Sequence, residues 1–221
     1  DMGRISKRLM TSGALDMVST AIPGIRDILV LGKIKQMERD RLADLLILDA
    51  PAAGHAITFL QSASGLADAV PIGPINSQAK EVLQLLGDPQ RCQVMLVTLP
   101  EETPVNELVE TAYQLEDRVG ISLGPVVVNG VYPPLPGLDA DPAAAAEAAG
   151  ASLRPGEAES LAAAAAFRRE RMALQAEQVG RLADALPLDQ LALPYLFDAE
   201  LGPSQLDQLA TSLLDGVGGL S

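Results

Sequence analysis

The chain has 221 residues, of which 48% are hydrophobic and 20% charged, a globular composition long enough for one domain with a sizeable core. Lys and Arg number 16 against 29 Asp and Glu, a formal net charge of -13, which argues against nucleic-acid binding and against adhesion to an anionic membrane. The one cysteine, Cys92, excludes an intrachain disulfide and a zinc site built on paired cysteines. No apolar run reaches the length of about 18 residues that a membrane helix needs. The opening DMGRISKRLM is charged throughout and lacks an apolar h-region, so the expectation is a cytoplasmic protein with no signal peptide. The chain starts at Asp1 rather than Met, which fits a fragment or a processed form.

Helical spacing predicts helices over 5–20 and 25–41, separated by turn chemistry at Pro23-Gly24. Leu45-Leu46-Ile47-Leu48 is a short apolar run ending at Asp49, the pattern of a strand buried on both faces of a parallel sheet. A helix over 55–64 follows, then an irregular stretch at Pro71, Gly73 and Pro74, then a helix near 75–87 closed by Gly87-Asp88-Pro89. Val94 to Thr98 reads as a second strand. Thr103 as N-cap and Pro104 at the first helical position open the next helix, with Val105, Leu108, Val109, Ala112 and Tyr113 at helical spacing. Cys92 lies where that second strand begins, as a buried small apolar residue.

Val126-Val127-Val128 is the third strand and ends at Asn129. Residues 132–156, rich in Pro, Ala and Gly, read as a long mobile loop with a weak helical turn in the alanines. Residues 157–185 form the longest helix, with Met172, Val179, Leu182 and Leu186 on one stripe. Leu191-Ala192-Leu193 is a fourth strand stopped by Pro194, and a last helix over 203–215 carries Leu206, Leu209 and Leu213. The alternation of strands and helices indicates one α/β domain over 1–221 with a parallel sheet, which includes a helical segment over 1–41. Ligands of such sheets sit outside the carboxyl ends of the strands. That directs attention to Asp49, Pro100-Glu101-Glu102, Asn129 and Pro194.

The most informative stretch is Asp49-Ala50-Pro51-Ala52-Ala53-Gly54-His55. A strand tip delivers an acid, and a glycine follows within five residues. In P-loop nucleotidases an acid so placed holds Mg2+, directly or through water, and a glycine lets backbone approach a phosphate. An ordinary strand-to-helix turn with Asp49 as a cap has the same local pattern. His55, the sole histidine, fits a structural hydrogen-bonding role better than a catalytic one.

Taken together the strand ends resemble the anion-transporting ATPase family, which includes the arsenical pump-driving ATPase and the ATPase that targets tail-anchored membrane proteins. Asp49 to His55 is similar to the family's switch II sequence D-T-A-P-T-G-H. Leu96 to Glu102 resembles its hydrophobic strand running into P-E-E, and Val126 to Asn129 its V-V-V-N strand end. Leu193 to Gly202 resembles its late P-L-L-x-x-E-x-x-G segment, and Pro23 to Asp27 its P-G-x-x-E entry. The resemblance implies a P-loop NTPase-like, SIMIBI-type parallel sheet flanked by helices. It also implies ATP and Mg2+ as ligand and cofactor, and a homodimer or a heterodimer with a related ATPase. By this resemblance Asp49 is the switch II acid near Mg2+ and the attacking water, and Gly54 gives a backbone contact near the γ-phosphate. Asn129 hydrogen-bonds the adenine, Pro194, Tyr195 and Phe197 belong to the loop around it, and Glu101 is an acid near the nucleotide at the dimer interface. Asn129 as a turn cap and the Pro194 loop as a plain connector remain the ordinary alternatives.

The chain departs from that family in definite ways. It has no G-x-x-x-x-G-K-[ST]; Gly32-Lys33 lies in a helical stretch and is followed by Ile34. The expectation is therefore the central and C-terminal part of a longer ATPase, incomplete at the N-terminus. At least two βα units, about 60 residues, would lie upstream, and the chain would be inactive by itself. Ala53 stands where the family has Thr, and Pro51 comes one position earlier, an order resembling bacterial members. Neither a Cys-x-x-Cys zinc site nor a thiol cluster for arsenite is present. Met10, Met17, Ile22, Ile25, Ile28, Leu29, Val30 and Ile34 would serve either as core or as part of a surface for an unidentified client protein or anion. A non-hydrolysing subunit serving an active relative, and a partition-type ATPase, are the alternative functions.

Overall fold

The computed structural model describes residues 25–220. The helix expected over 5–20, and Met10, Met17, Ile22, Pro23 and Gly24, lie outside the described residues. Two compact units divide the chain, one of Asp1–Val94 with Glu110–Leu123, the other of Met95–Val109 with Gly124–Ser221.

In the first unit, helices α1 (Ile25–Arg39), α2 (Ala53–Ala69) and α3 (Pro74–Leu86) pack on one another. Each buries one stripe: Ile28 and Leu31 from α1, Phe59, Leu60, Ala63 and Leu66 from α2, Ala79, Val82, Leu85 and Leu86 from α3. These are the i, i+3, i+4, i+7 positions of an amphipathic helix. Two polar devices fix the arrangement. The buried Asn76 donates through Nδ2 to the Ala67 carbonyl at 2.9 Å, tying the start of α3 to the end of α2. The Lys35 ammonium, on the buried face of α1, reaches Gln78 Oε1 at 2.8 Å and Glu81 Oε2 at 2.5 Å on α3.

The expected strand over Leu45–Leu48 does not form. Residues 43–52 are irregular, and Leu45 and Ile47 are 74% and 85% exposed. A strand exists only as a pair, because its backbone donors and acceptors need a neighbour. Among the described residues none pairs with this run, so its apolar character alone does not make it a strand.

The second unit holds a parallel sheet of β1 (Val97–Thr98), β2 (Val126–Val131) and β3 (Gln190–Pro194), in that spatial order. Val126, Val127 and Val128 of β2 are buried, as befits a strand covered on both faces, whereas the buried strand expected over Val94–Thr98 is only the two residues of β1, with Val97 64% exposed. Helix α4 (Glu102–Gln114) follows β1, its first half in this unit and its second in the other, and continues as a π-helical turn, Leu115–Val119. It starts at Glu102, with Val105 N–H bonding the Glu101 carbonyl, so the first turn opens before the Thr103 expected as its cap. Within 132–156, helix α5 (Pro142–Ala148) forms in the alanine-rich stretch, with Asp141 Oδ1 accepting from Ala144 N–H at 2.8 Å. Helix α6 (Glu157–Ala185) matches the predicted long helix, with Leu182 buried toward the sheet and Leu186 buried at its C-cap. Helix α7 (Pro203–Gly218) packs on β3.

The register along β2 and β3 runs Val126 to Gln190, Val127 to Leu191 and Val128 to Ala192, then jumps to Val131 opposite Pro194. One extra residue on β2 is therefore bulged out at Asn129-Gly130. Gly130 has φ +78°, a conformation that costs other residues about 1–2 kcal/mol. The strand thus extends past Asn129, where the sequence reading ended it.

Candidate functional site

The carboxyl ends of the three parallel strands converge on one group of side chains in the second unit. β1 leads through Leu99 and the buried Pro100 to Glu101. β2 ends in the bulge, with the Asn129 side chain exposed and Tyr132 just beyond. β3 ends at Pro194, followed by Tyr195 and Phe197. A Cβ on Gly130 would lie 3.7 Å from Leu99 Cδ2 and 3.8 Å from Tyr195 Cδ2, so the three strand exits lie against one another.

The chain has only three tyrosines and three phenylalanines, and three of these rings cluster here. Tyr195 and Phe197 centroids are 4.7 Å apart, Tyr132 and Tyr195 5.1 Å, and Tyr132 and Phe197 5.2 Å, all tilted or edge-on. Tyr195 and Phe197 are exposed. A chain that places half its aromatic rings at the ligand end of a sheet, rather than in its core, has built a surface able to take a flat heteroaromatic group.

Helix α6 supplies the polar frame. The Arg168 guanidinium lies 4.8 Å from the Phe197 centroid and 5.3 Å from that of Tyr132, and donates to the Pro133 carbonyl at 2.9 Å. Arg169 bonds the Leu138 carbonyl and faces Asp139 at 3.4 Å, anchoring the segment before α5. Arg171 donates to Glu101 Oε1 at 3.0 Å, and that carboxylate, with Tyr132 nearby, holds the guanidinium still more firmly protonated than usual. Gln175 bridges the β2 exit, accepting from Tyr132 N–H at 2.8 Å and donating to the Gly130 carbonyl at 3.0 Å.

Of the residues singled out from sequence, Glu101, Asn129, Pro194, Tyr195 and Phe197 belong to this group. Asp49 and Gly54 belong to the first unit. Asp49 is exposed at the end of the irregular stretch, and Gly54 is exposed in the first turn of α2. That turn leaves N–H groups without intrahelical partners, a setting that favours an anion. A Cβ built on Gly54 meets nothing within 4 Å among the described residues, so none of their contacts requires glycine there. Among the described residues no three His, Cys, Asp or Glu side chains cluster for a metal ion. A magnesium ion on a nucleotide needs only one or two protein carboxylates, since phosphates and water fill its other positions, and Asp49 suits that donor set. Cys92 is half-buried, and burial pushes its thiol up.

Tyr132, Arg168, Arg171 and Gln175 are absent from the sequence-derived set. The legible signal is Gln175, a polar residue on the stripe of Met172, Val179 and Leu182.

A small parallel sheet flanked by helices, with its polar and aromatic groups gathered past the strand ends, is the architecture of the P-loop NTPase-like α/β proteins. The model of the anion-transporting ATPase family matches residues 1–71, a span that includes Asp49 and Gly54. ATPase BagA of Mycobacterium tuberculosis is 34% identical over 59% of this chain and 39% of its own length, and an ATPase of Mycobacterium bovis matches to the same extent. A Halobacterium salinarum protein named as an arsenical pump-driving ATPase is 24% identical over 79% of this chain and 25% of its own. Over these spans the chain is similar to members of the anion-transporting ATPase family. The chain spans well under half the length of the relatives it matches. Among the described residues no helix is long and apolar enough to cross a membrane.

Proposed function

We propose that the chain is part of a cytoplasmic Mg-dependent ATPase, and that the strand exits of its second unit hold the adenine. The observation that carries this reading is the cluster of the Tyr132, Tyr195 and Phe197 rings at the carboxyl ends of a parallel sheet, with the exposed Asn129 on the β2 exit beside it in the chain. A side-chain amide offers both a donor and an acceptor to a base edge, and the rings offer it an apolar face. Pro194 fixes the backbone where the β3 loop departs.

Asp49 would hold the metal, directly or through water, and orient the attacking water, and the Gly54 N–H would serve the γ-phosphate. When bound, magnesium neutralises charge on the phosphate oxygens. Glu101, held by Arg171, lies at the interface with a second copy or a related ATPase. Hydrolysis is coupled to closure of that dimer and to handling of a client protein or anion. The chain by itself does not hydrolyse ATP, since a phosphate-cradling loop and its lysine supply most of the positioning.

The test is phosphate release by the full-length protein of the natural gene, with Asn129→Ala and Asp49→Asn beside the wild type. Asn129→Ala should raise KM for ATP about tenfold, the worth of one or two lost hydrogen bonds to the base, and leave kcat near wild type. Asp49→Asn should abolish turnover. A full-length protein that binds ATP but releases phosphate only beside a co-expressed relative points to the paired version. Loss of nothing in either variant removes the reading.

A further inference from the structure

Three side chains on one stripe of α6, Arg168, Arg171 and Gln175 at i, i+3 and i+7, each reach a different strand exit: Phe197 after β3, Glu101 after β1, and the bulge of β2. Gln175 is the most enclosed of the three, at 5% exposure. A primary amide so buried is costly unless its polar atoms are paired. Both ends of this one are paired, and both with backbone of the β2 exit. Oε1 takes the Tyr132 N–H and Nε2 gives to the Gly130 carbonyl.

Between those two bonds lies Val131, whose carbonyl accepts the Tyr195 N–H at 2.8 Å. One side chain therefore fixes a three-residue span. Asn129 directly precedes that span, and the loop carrying Tyr195 and Phe197 is hydrogen-bonded to its middle. The span is also where the ladder is interrupted, because the bulge breaks the β2–β3 register and Gly130 sits at φ +78°. Bulged backbone has no ladder to set its geometry. The Gln175 amide does so instead.

We infer that Gln175 is a positioning residue for recognition of the nucleotide base. Its amide holds the β2 exit in the geometry that presents Asn129 together with Tyr195, and so sets the preference for adenine over other bases. The inference rests on the adenine reading above. Gln175 does not touch the base; it acts through Gly130, Tyr132 and the Asn129 that precedes them.

The experiment compares Gln175→Met, which keeps the side-chain length and removes both hydrogen bonds, with Gln175→Glu, which keeps the acceptor and removes the donor. Both are made in the full-length protein. KM and kcat are measured with ATP and with GTP, and thermal midpoints are taken without nucleotide. Gln175→Met should raise KM for ATP about tenfold, with kcat within about twofold of wild type and KM for GTP unchanged, so that base selectivity collapses. Gln175→Glu should fall between, and it carries the same comparison if Gln175→Met does not fold. On an Asn129→Ala background, Gln175→Met should add no further loss.

A merely structural role would shift both nucleotides together and lower the midpoint, and that result overturns the inference. So does unchanged selectivity in a folded variant beside a damaging Asn129→Ala. A wild type indifferent between ATP and GTP, with Asn129→Ala silent, overturns the adenine reading and this inference with it.

Discussion

Gly54→Ala separates the demands of the fold from those of the ligand. Gly54 is exposed in the first turn of the 17-residue helix α2, and a Cβ there meets nothing within 4 Å among the described residues. Alanine exceeds glycine in helix propensity by about 0.8–1.0 kcal/mol in a helix interior. Alanine also reduces the freedom of the unfolded chain, worth about 0.4–1 kcal/mol where the backbone accepts it; the two effects overlap, and the first turn captures less than an interior site. The expected outcome is a variant more stable by about 0.5 kcal/mol. Hydrolysis should move the other way. A methyl group where backbone must approach the γ-phosphate displaces that phosphate, and misplacement of about 1 Å costs on the order of a hundredfold in rate. Stability is to be read by urea unfolding without nucleotide, since any bound ligand would add its own stabilisation. Activity is to be read by phosphate release from the full-length protein at saturating Mg-ATP. Full activity in the variant would refute the placement of Gly54 beside the phosphate. A loss of stability would refute the open first turn on which the estimate depends.

Gly130→Ala should behave in the opposite sense: its added Cβ makes only ordinary contacts with Leu99 and Tyr195, but φ +78° penalises any side chain. A loss of about 1 kcal/mol in urea unfolding is expected, together with weaker ATP binding, and a neutral result would show that the bulge is not held in this form. In the first unit, Glu81→Ala should be more damaging than Lys35→Met, although both break the same ion pair. Lys35 is 6% exposed, and without Glu81 its ammonium keeps, among the described residues, only Gln78, whereas Glu81 is 45% exposed on its side chain and is hydrated when Lys35 is removed. Thermal unfolding that ranks the two variants the other way would contradict this. The same pair gives a pH signature: Lys35 lowers the Glu81 carboxyl below its ordinary value of 4.5, so its stabilisation is present above that value and is lost as pH falls through the lowered one. Lys35→Met should lack that acid-side component.

What the sequence disclosed depended on whether a signal was local. The span of α6, Glu157–Ala185, emerged from spacing because a long helix carries its own hydrogen bonds. Asn129 and the Pro194 loop emerged because strand ends are read from where an apolar run stops. The Leu45–Leu48 run failed because its pattern states only that the residues are apolar and says nothing of what lies beside them. Its exposure shows how little strand character survives without a neighbour. The bulge at Asn129-Gly130 was missed for the same reason, since a register jump belongs to two strands at once and appears in neither alone.

The residues that frame the site were hidden for a further reason. Arg168, Arg171 and Gln175 lie on a helix that reaches the sheet about 40 residues after β2 and just before β3. Their spacing of three and four marks one face of a helix, but only the strand order β1-β2-β3 tells that this face crosses all three exits. Arginine on a helix face is ordinarily solvated, and so carries no message by itself. Gln175 differs. An amide on a stripe otherwise given to Met172, Val179 and Leu182 must be paired in the core or be costly there. The only groups a strand interrupted by a bulge leaves in need of partners are backbone N–H and C=O. A polar residue out of place on an apolar stripe therefore predicts an irregular strand opposite it, and here the irregular strand is the one that carries Asn129.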